Sequence, residues 1–512
     1  MFRTVAKKSY NLAKKHILKI KLRFGYLRYF DSKWYLRQYP DVSRLNDSPI
    51  DHYVTFGWKE GRNPSPKFNT NRYLYNNPDV TRSGINPLDH WIIFGKKEGR
   101  PAMANGYQFI SDDLLSQPVG VDFDNAIHAY QVMLMRFPYT QPLNIFSSRC
   151  NDKRVNLVTD SVSPESLYGG VGTSLIFACL LAKRFDFKFR LITLNDRPIL
   201  TGLNAVLNTL GADWTKNIEI VDTFTGQSID DCAGDIYVTS SWWSTARVSK
   251  SIPSKRIVYL VQDDEKMFYP MGDDWSKANT VLGDPNIKKV INSFGLSEHL
   301  RNEYPSTPPH HHMYFEPSFP ITHFYRNKTN TKEKIRLVFY ARPSNPRNLF
   351  FLGLEVLASS IEAGILNEKD FEFYFVGKDI PDFFLPLSIA PRLIQNIPWN
   401  EYAALMRTVD IGFSLMCTPH PGYFPLDVVS CGGIALTNTF KSKANLHHYS
   451  KNIVSAEPTV TGMTKGLKTA LELAKNRDVR LENYKKQNIK TDWNESFHHI
   501  FDSLEEDGFV SF

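Results

Sequence analysis

Three sets of polar residues in this 512-residue chain have types and spacings that could do chemistry. The first is LYGGVGT, Leu167 to Thr173, where Gly169, Gly170 and Gly172 precede a helical run from Thr173 to Arg184. A glycine-rich turn at a helix start presents backbone N–H groups to a phosphate or to a close-packed ligand. The spacing lacks the full dinucleotide fingerprint, so a plain turn is the competing reading. The second is VQDDEKMFYPMG, Val261 to Gly272, in which Asp263, Asp264 and Glu265 follow a strand pattern. Asp263 or Glu265 could contact an acceptor or act as a base, and a solvated acidic loop is the equal alternative. The third is His310, His311 and His312. Three successive side chains cannot all face one metal from a helix or a strand, and no metal is expected there.

The elements that must position these residues alternate between strand and helix. Val155–Val158, Phe189–Thr193, Asp235–Thr239 and Arg256–Val261 are short apolar runs with the look of buried strands. The theme returns in Ile335–Tyr340, Phe371–Val376, Ile411–Leu415 and Ile434–Thr437, with helical stretches at Phe350–Ala363, Glu401–Arg407 and Asp427–Cys431. This alternation predicts an α/β protein with parallel sheets covered by helices. Two such domains leave a cleft between the C-terminal strand ends, a ready place for a ligand. The Pro-rich stretch from Pro305 to Pro320 is the expected hinge.

Ahead of these halves lies a duplication. Residues 30–62 and 68–100 align without a gap at an offset of 38, with about half the positions identical. Each unit reads as two short helices, the Pro-Asp step ending the first and Ser48-Pro49 or Asn86-Pro87 starting the second. His52 and His90, each between an acid and an aromatic, read as half-buried structural residues more readily than as ligands. As a functional signal the repeat leaves a spacer, a docking module and a sugar-chain contact open.

The formal net charge is +8, but nine basic residues and no acid fall within residues 1–29. The other 52 basic residues face 53 acidic ones, a balance of −1, so the basic total gives no reason to expect nucleic-acid binding by the body. Phe2, Ala6, Tyr10, Ala13, Ile17, Ile20, Phe24 and Leu27 form one apolar helical face, with lysines largely off it. Such a helix can lie on an anionic membrane surface. A helix packed on the next domain and a targeting peptide are the other two readings. No apolar run reaches the roughly 18–20 residues of a membrane span, and no long apolar stretch of a secretory signal opens the chain. Cys150, Cys179, Cys232, Cys417 and Cys431 are odd in number and widely spaced, and are expected to be reduced thiols of a cytosolic protein.

PHPGYFPLDVVSCGG, Pro419 to Gly433, together with YARPSNPRN, Tyr340 to Asn348, resembles the retaining-type glycosyltransferases of family 4. More narrowly it resembles the WsaF-type rhamnosyltransferases of bacterial surface-glycan assembly, whose glycine loop LYGGVGT matches and whose central strand end VQDDEKMFYPMG is similar to. The resemblance covers roughly residues 150–500, and repeats like those at 30–104 also occur beside bacterial glycosyltransferases. It implies a GT-B fold: two Rossmann-like domains facing a cleft, preceded by a small helical repeat region. The expected organisation is a basic amphipathic helix (1–29), tandem repeats (30–104), an acceptor domain (105–315), a donor domain (316–485) and a C-terminal helix packing back on the first domain (486–512).

The resemblance further implies a nucleotide-activated sugar donor, dTDP-L-rhamnose, with no metal and no other cofactor. Arg342 and Arg347 stand where similar enzymes place a basic pair on the diphosphate, and Lys378 is a third candidate. An Arg fork suits that load because it offers several hydrogen bonds and a fixed charge. Asp427 matches the second of the family's two acids eight positions apart, the one expected on the ribose or sugar hydroxyls. The first acid falls at Pro419 and is missing, and nothing in the pattern makes the adjacent His420 its replacement. Tyr423 is expected to flank the nucleotide, and Gly169 and Gly170 to approach it. Asp427 and Asp263 are the catalytic candidates. The implied activity is transfer of a sugar, L-rhamnose, onto a growing cell-surface polysaccharide or lipid-linked glycan, by a cytoplasmic enzyme held peripherally at the inner membrane face by residues 1–29. The alternatives are an inactive GT-B-like scaffold and a nucleotide-sugar epimerase.

Overall fold

A computed structural model describes residues 26–510 apart from 27, 44–47, 101, 103–128, 138, 140, 164–166, 168, 208–209, 211–217, 224–226 and 328–332. The amphipathic stripe predicted for residues 1–29 therefore lies outside the described residues, save for Tyr26, Arg28 and Tyr29. Chain contacts divide the protein into two compact units, Met1–Gln141 with Phe224–Gly226, and Pro142–Thr223 with Gln227–Phe512. Among the described residues no helix is long and apolar enough to cross a membrane.

The first unit holds the repeats. Each contains three short helices rather than two: Ser32–Gln38, Pro40–Ser43 and Pro49–His52 in one, Thr70–Asn76, Pro78–Ser83 and Pro87–His90 in the other. The first helix ends just ahead of the Pro-Asp step, at Gln38 or Asn76, and the same step opens a second helix, because Pro at the first helical position is already set at the right φ and owes no N–H bond. The third helix of each repeat runs into a wide turn, Tyr53–Gly57 or Trp91–Gly95. His52 and His90 are buried, each with Nδ1 on a tyrosine hydroxyl 17 residues earlier, Tyr35 at 3.1 Å and Tyr73 at 2.9 Å. Equivalent ion pairs, Arg62 with Asp41 at 2.7 Å and Arg100 with Asp79 at 2.9 Å, tie the end of each repeat to its second helix.

All strands among the described residues lie in the second unit. In chain order these are β1 (Ile145–Ser147), β2 (Arg154–Thr159), β3 (Lys188–Thr193), β4 (Ile218–Asp222), β5 (Ile229–Asp231), β6 (Ile236–Thr239), β7 (Ile257–Val261), β8 (Lys288–Asn292) and β9 (His312–Phe315). They continue with β10 (Ile335–Ala341), β11 (Phe371–Gly377), β12 (Arg392–Gln395), β13 (Ile411–Phe413), β14 (Ile434–Asn438) and β15 (Ile453–Ala456). A seven-stranded sheet has the order β4-β3-β2-β6-β7-β8-β9, and a six-stranded sheet the order β12-β11-β10-β13-β14-β15. All their pairings are parallel, and β1 and β5 form a separate parallel pair. Every residue of β2 and β7 is buried, as a parallel sheet covered on both faces requires.

In each sheet the strand order reverses once, between β2 and β6 and between β10 and β13. A crevice opens at such a reversal beyond the C-terminal strand ends, because the connections on its two sides leave in opposite directions. The opposite end of the first sheet is locked by charge. Arg154 and Arg190, both buried, reach Asp235 at 2.8 Å and Asp230 at 2.7 Å respectively. Cys232 in the same cluster is joined to Cys150 in a disulfide, with Cα atoms 5.6 Å apart. This corrects the expectation of five reduced thiols: the pair is 82 residues apart in sequence, and only the fold brings it together. Cys179, Cys417 and Cys431 remain free.

The hinge is shorter than Pro305–Pro320. Its first part belongs to the first sheet, since His312–Phe315 is β9 and His312 is buried, with an imidazole pKa pushed down to about 4 by that burial. Past β9 the chain crosses to the second sheet alongside the segment that returns. Phe319 N–H donates to Lys490 O at 2.8 Å and Ser318 Oγ donates to Asp492 O at 2.9 Å. The returning chain ends in the helix Trp493–Glu506, whose Phe497 packs on Phe177 and Phe315 of the first half, ring centroids 5.1 and 4.8 Å away.

Candidate functional site

A cavity of about 680 Å³ lies between the C-terminal ends of the two sheets, lined by residues of both. Its second-sheet wall is built by turns after β10, β11 and β13. Arg342 follows β10 directly and faces the reversal between β10 and β13. Its Nε is buried and has no hydrogen-bond partner among the described residues. A buried cationic N–H left unpaired is costly, and an anion placed in the cavity would satisfy it. Lys378 follows β11, is half-buried and lines the same wall.

Arg347, the other half of the expected basic pair, is placed differently. It forms an ion pair with Asp263 of the first half and lies over the Phe268 ring, 4.1 Å from its centroid. Thr418 Oγ1 also donates to Asp263. Asp263 thus joins the end of β7 to two loops of the opposite domain. The reading of a solvated acidic loop is overturned: Asp263, Asp264 and Glu265 are all buried. Asp264 accepts from or shares a proton with His299 Nε2 at 2.8 Å. Glu265 accepts from Trp242 N–H and from Tyr259 Oη, each at 2.6 Å, and burial pushes its carboxyl up to about 8.

Asp427 sits in the helix Tyr423–Ser430, which starts four residues before the predicted start at Asp427. Gly422 caps that helix at φ +83°, a conformation in which an L side chain is strained. Asp427 is buried at the cavity wall and accepts from Tyr402 Oη at 2.7 Å. Desolvation pushes its pKa up to about 8, so near neutrality it is mostly the protonated acid. In that state it can donate a hydrogen bond to a ligand oxygen as well as accept one.

Tyr423 lines the cavity, yet its hydroxyl is already engaged. It meets Thr173 Oγ1 at 2.6 Å and accepts from Asn292 Nδ2 at 2.7 Å, both in the first half. Gly169, at φ +58°, is the residue its ring rests on: a Cβ there would meet the ring at 3.5 Å. In this structure the glycine loop therefore receives the Tyr423 ring from the other domain, and Tyr423 pins the domains rather than offering a free face. Gly170 starts the helix Gly170–Arg184 and lines the cavity with Gly169.

His420 was not singled out by its sequence pattern. It is buried, and its Nδ1 accepts from Gly422 N–H at 2.9 Å, which leaves the proton on Nε2. Nε2 has no partner among the described residues, and the residue lines the cavity. Burial pushes its pKa down to about 4, so it is a neutral N–H donor at working pH. Its position beside the missing acid was the one available signal.

Two parallel sheets facing a shared cavity, each with one reversal of strand order, define a GT-B fold. The solved structure of TarM shares the fold, with a TM-score of 0.50 at 8% identity, over 70% of this chain and 99% of that one. WaaG, a glycosyltransferase involved in lipopolysaccharide biosynthesis, gives a TM-score of 0.47 at 15% identity, over 68% of this chain and 98% of that one. Residues 154–293 match the N-terminal domain of WsaF and residues 335–468 its C-terminal domain. These matches together take in more than half of the chain, and the chain belongs to the WsaF family. It is also 30% identical over 241 residues to the O-antigen biosynthesis protein RfbC of Myxococcus xanthus, covering 47% of this chain and 18% of that protein. The chain thus matches less than a fifth of the length of that relative.

Proposed function

We propose that this glycosyltransferase takes a sugar from a nucleoside diphosphate donor, dTDP-L-rhamnose in the reading its family suggests, and adds it to a growing bacterial cell-surface polysaccharide. The single observation that carries the donor reading is the second-sheet crevice, where Arg342 offers a buried, unpartnered N–H beside Lys378. In the reaction the bond from the sugar C1 to the diphosphate oxygen breaks, the electron pair leaves with the diphosphate, an acceptor hydroxyl oxygen bonds to C1, and the hydroxyl proton passes to the departing diphosphate. Fixed cations in a cavity of low dielectric favour that departure, because charge gathers on the diphosphate as the bond breaks. Arg342, Lys378 and Arg347 supply three such cations without a metal. Asp427 and His420 flank the sugar, one as a largely protonated acid and one as a neutral N–H.

Arg347 has to leave Asp263 to reach a diphosphate. The exchange would uncover the Asp263 carboxylate at the cavity wall, ready to accept a hydroxyl hydrogen bond. Residues 1–29 would bring the enzyme to the inner membrane face, where a lipid-linked glycan is carried. Thermal-shift and saturation-transfer measurements with dTDP-rhamnose, UDP-sugars and GDP-sugars test the donor. Binding of one class, lost in Arg342→Ala and followed by loss of transfer in Asp427→Ala, is the expected result. Binding of none, or transfer unaffected by either change, would return the protein to a scaffold reading.

A further inference from the structure

Lys443 is a buried cation without a counter-ion in contact. It is 3% exposed, it does not line the cavity, and among the described residues it forms no ion pair. Reciprocal backbone hydrogen bonds between Phe440 and Lys443, at 2.9 and 2.8 Å, set it on a tight turn that follows β14. Its Nζ donates to Met416 O at 3.0 Å, which engages one of the three N–H groups of an ammonium. A buried charge held this way is costly unless an opposite charge lies close by.

The loop that receives Lys443 also gathers the charges of the cavity wall. Met416 O accepts from Lys443 Nζ and from Thr418 N–H, each at 3.0 Å. Cys417 N–H donates to the Arg347 carbonyl at 2.8 Å, and Thr418 Oγ1 donates to Asp263. Lys443, Arg347 and Asp263 are thus all fixed to three successive residues, Met416 to Thr418. Burial draws the Lys443 ammonium down to about 8, while Asp263 after β7 and the Cys417 thiol hold it up. His420, on the same loop, is pushed down by its burial first; Asp263 acts against this, and Lys443 and Arg347 add to it. The carboxylate of Asp263 therefore lies between two cations, one in contact and one behind the loop.

A second cation matters once the first is taken away. A buried carboxylate stripped of its only counter-charge would oppose whatever removed it. With Arg347 on Asp263 the three groups carry a net positive charge; with Arg347 on a diphosphate, Asp263 and Lys443 remain as a neutral couple. We propose that Lys443 is the reserve counter-ion of Asp263, holding the carboxylate when Arg347 turns to the donor diphosphate and thereby setting donor affinity. Lys443 is a positioning residue: it acts through Asp263 and Arg347 and touches no substrate. The proposal rests on the second-sheet wall being the donor side.

The test is calorimetry of dTDP and UDP on the full chain as wild type, Lys443→Met, Asp263→Asn and the double variant. Lys443→Met keeps the apolar stem and removes the charge; Lys443→Gln, which can still donate to Met416 O, carries the same test if the first variant does not fold. Removing the charge should weaken nucleotide binding about tenfold in the wild-type background. In the Asp263→Asn background it should leave Kd within about twofold, because no carboxylate is left to hold. A purely structural lysine would carry its loss into both backgrounds. The second readout is a proton. Departure of Arg347 strengthens the hold of Asp263 on the Lys443 proton, so binding at about pH 8.5 takes up a proton and affinity falls as pH rises from about 8 to 9. The binding heat then depends on the ionisation enthalpy of the buffer. This dependence should vanish in Lys443→Met and persist in Cys417→Ser, which removes the neighbouring thiol as its source. Equal affinity in wild type and Lys443→Met, equal loss in both backgrounds, or proton uptake that survives without Lys443 would each overturn the proposal. A wild type that binds neither nucleotide overturns the donor reading instead, and this proposal with it.

Discussion

Removing the charge of Asp263 should make the protein bind a nucleoside diphosphate more tightly. Asp263 is 5% exposed, and the Arg347 side chain facing it is 19% exposed, so their ion pair is largely shielded from water. A charge-assisted hydrogen bond in such a setting contributes about 1.5–3 kcal/mol. A diphosphate that recruits Arg347 must first give up that contribution. Asp263→Asn keeps the size and the hydrogen bond from Thr418 while removing the charge, and Phe268 still supports the guanidinium from one face. Taking the lower end of the range, Kd for dTDP or UDP should fall about tenfold, since 1.4 kcal/mol is one decade. Calorimetry at fixed ionic strength measures this, with Arg347→Ala and the double variant completing a cycle. In the Arg347→Ala background the gain should vanish. An unchanged or weaker Kd in Asp263→Asn alone, or a gain that survives without Arg347, would refute the competition between carboxylate and diphosphate.

Four further outcomes follow from the same structure. Asp427 has a folded pKa raised to about 8 against an ordinary 3.8, so folding takes up a proton between those values and wild-type stability falls as pH rises through that window. Asp427→Asn escapes this, and its stability relative to wild type should climb by at most about 1.4 kcal/mol per pH unit, read from urea midpoints at pH 5 to 8; parallel pH profiles would count against a buried neutral acid. His420→Leu should raise KM for the nucleotide-sugar at least tenfold while His420→Gln, which keeps an N–H, recovers most of it; equal losses in both would point to packing alone. Asp235→Ala strips a buried partner from Arg154 and Arg190 and should cost about 3–5 kcal/mol in denaturant unfolding, with a change under 1 kcal/mol contradicting the buried network. Deleting residues 2–28 should release the protein from anionic vesicles in co-sedimentation and leave nucleotide affinity intact, whereas undiminished pelleting would return the segment to a packing role.

The strands were legible where burial on both faces demands continuous apolar residues. Val155–Val158 lies within β2 and Phe371–Val376 within β11. β8 escaped because it opens with Lys288 and Lys289 and so does not read as apolar. Lys289 is tolerated there because its ammonium donates to Asp284 O at 2.6 Å. Local motifs located the loops that form the cavity, but not the pairings that set their chemistry. Asp263 meets Arg347 across 84 residues and Thr173 meets Tyr423 across 250, and neither pairing leaves a mark in the neighbourhood of either partner. For the same reason Arg347 looked like a free twin of Arg342, and Tyr423 like an open platform. The acidic run looked solvated because the groups that satisfy it, His299, Tyr259 and the Trp242 N–H, come from other elements.

The return of the C-terminal helix to the first half has a consequence for the order of events at the ribosome. Phe177 and Phe315 have their aromatic partners in Phe497 and Phe501, and Leu504, Phe509 and Val510 belong to the same core. The half that is synthesised first therefore cannot complete its interior until residues 493–510 have emerged. The half synthesised second has all its strands between Ile335 and Ala456 and can close ahead of it. Nascent chains usually mature from the N-terminus onward. Here the first half must wait with an open apolar face, and loss of residues 493–510 would leave that face permanently bare.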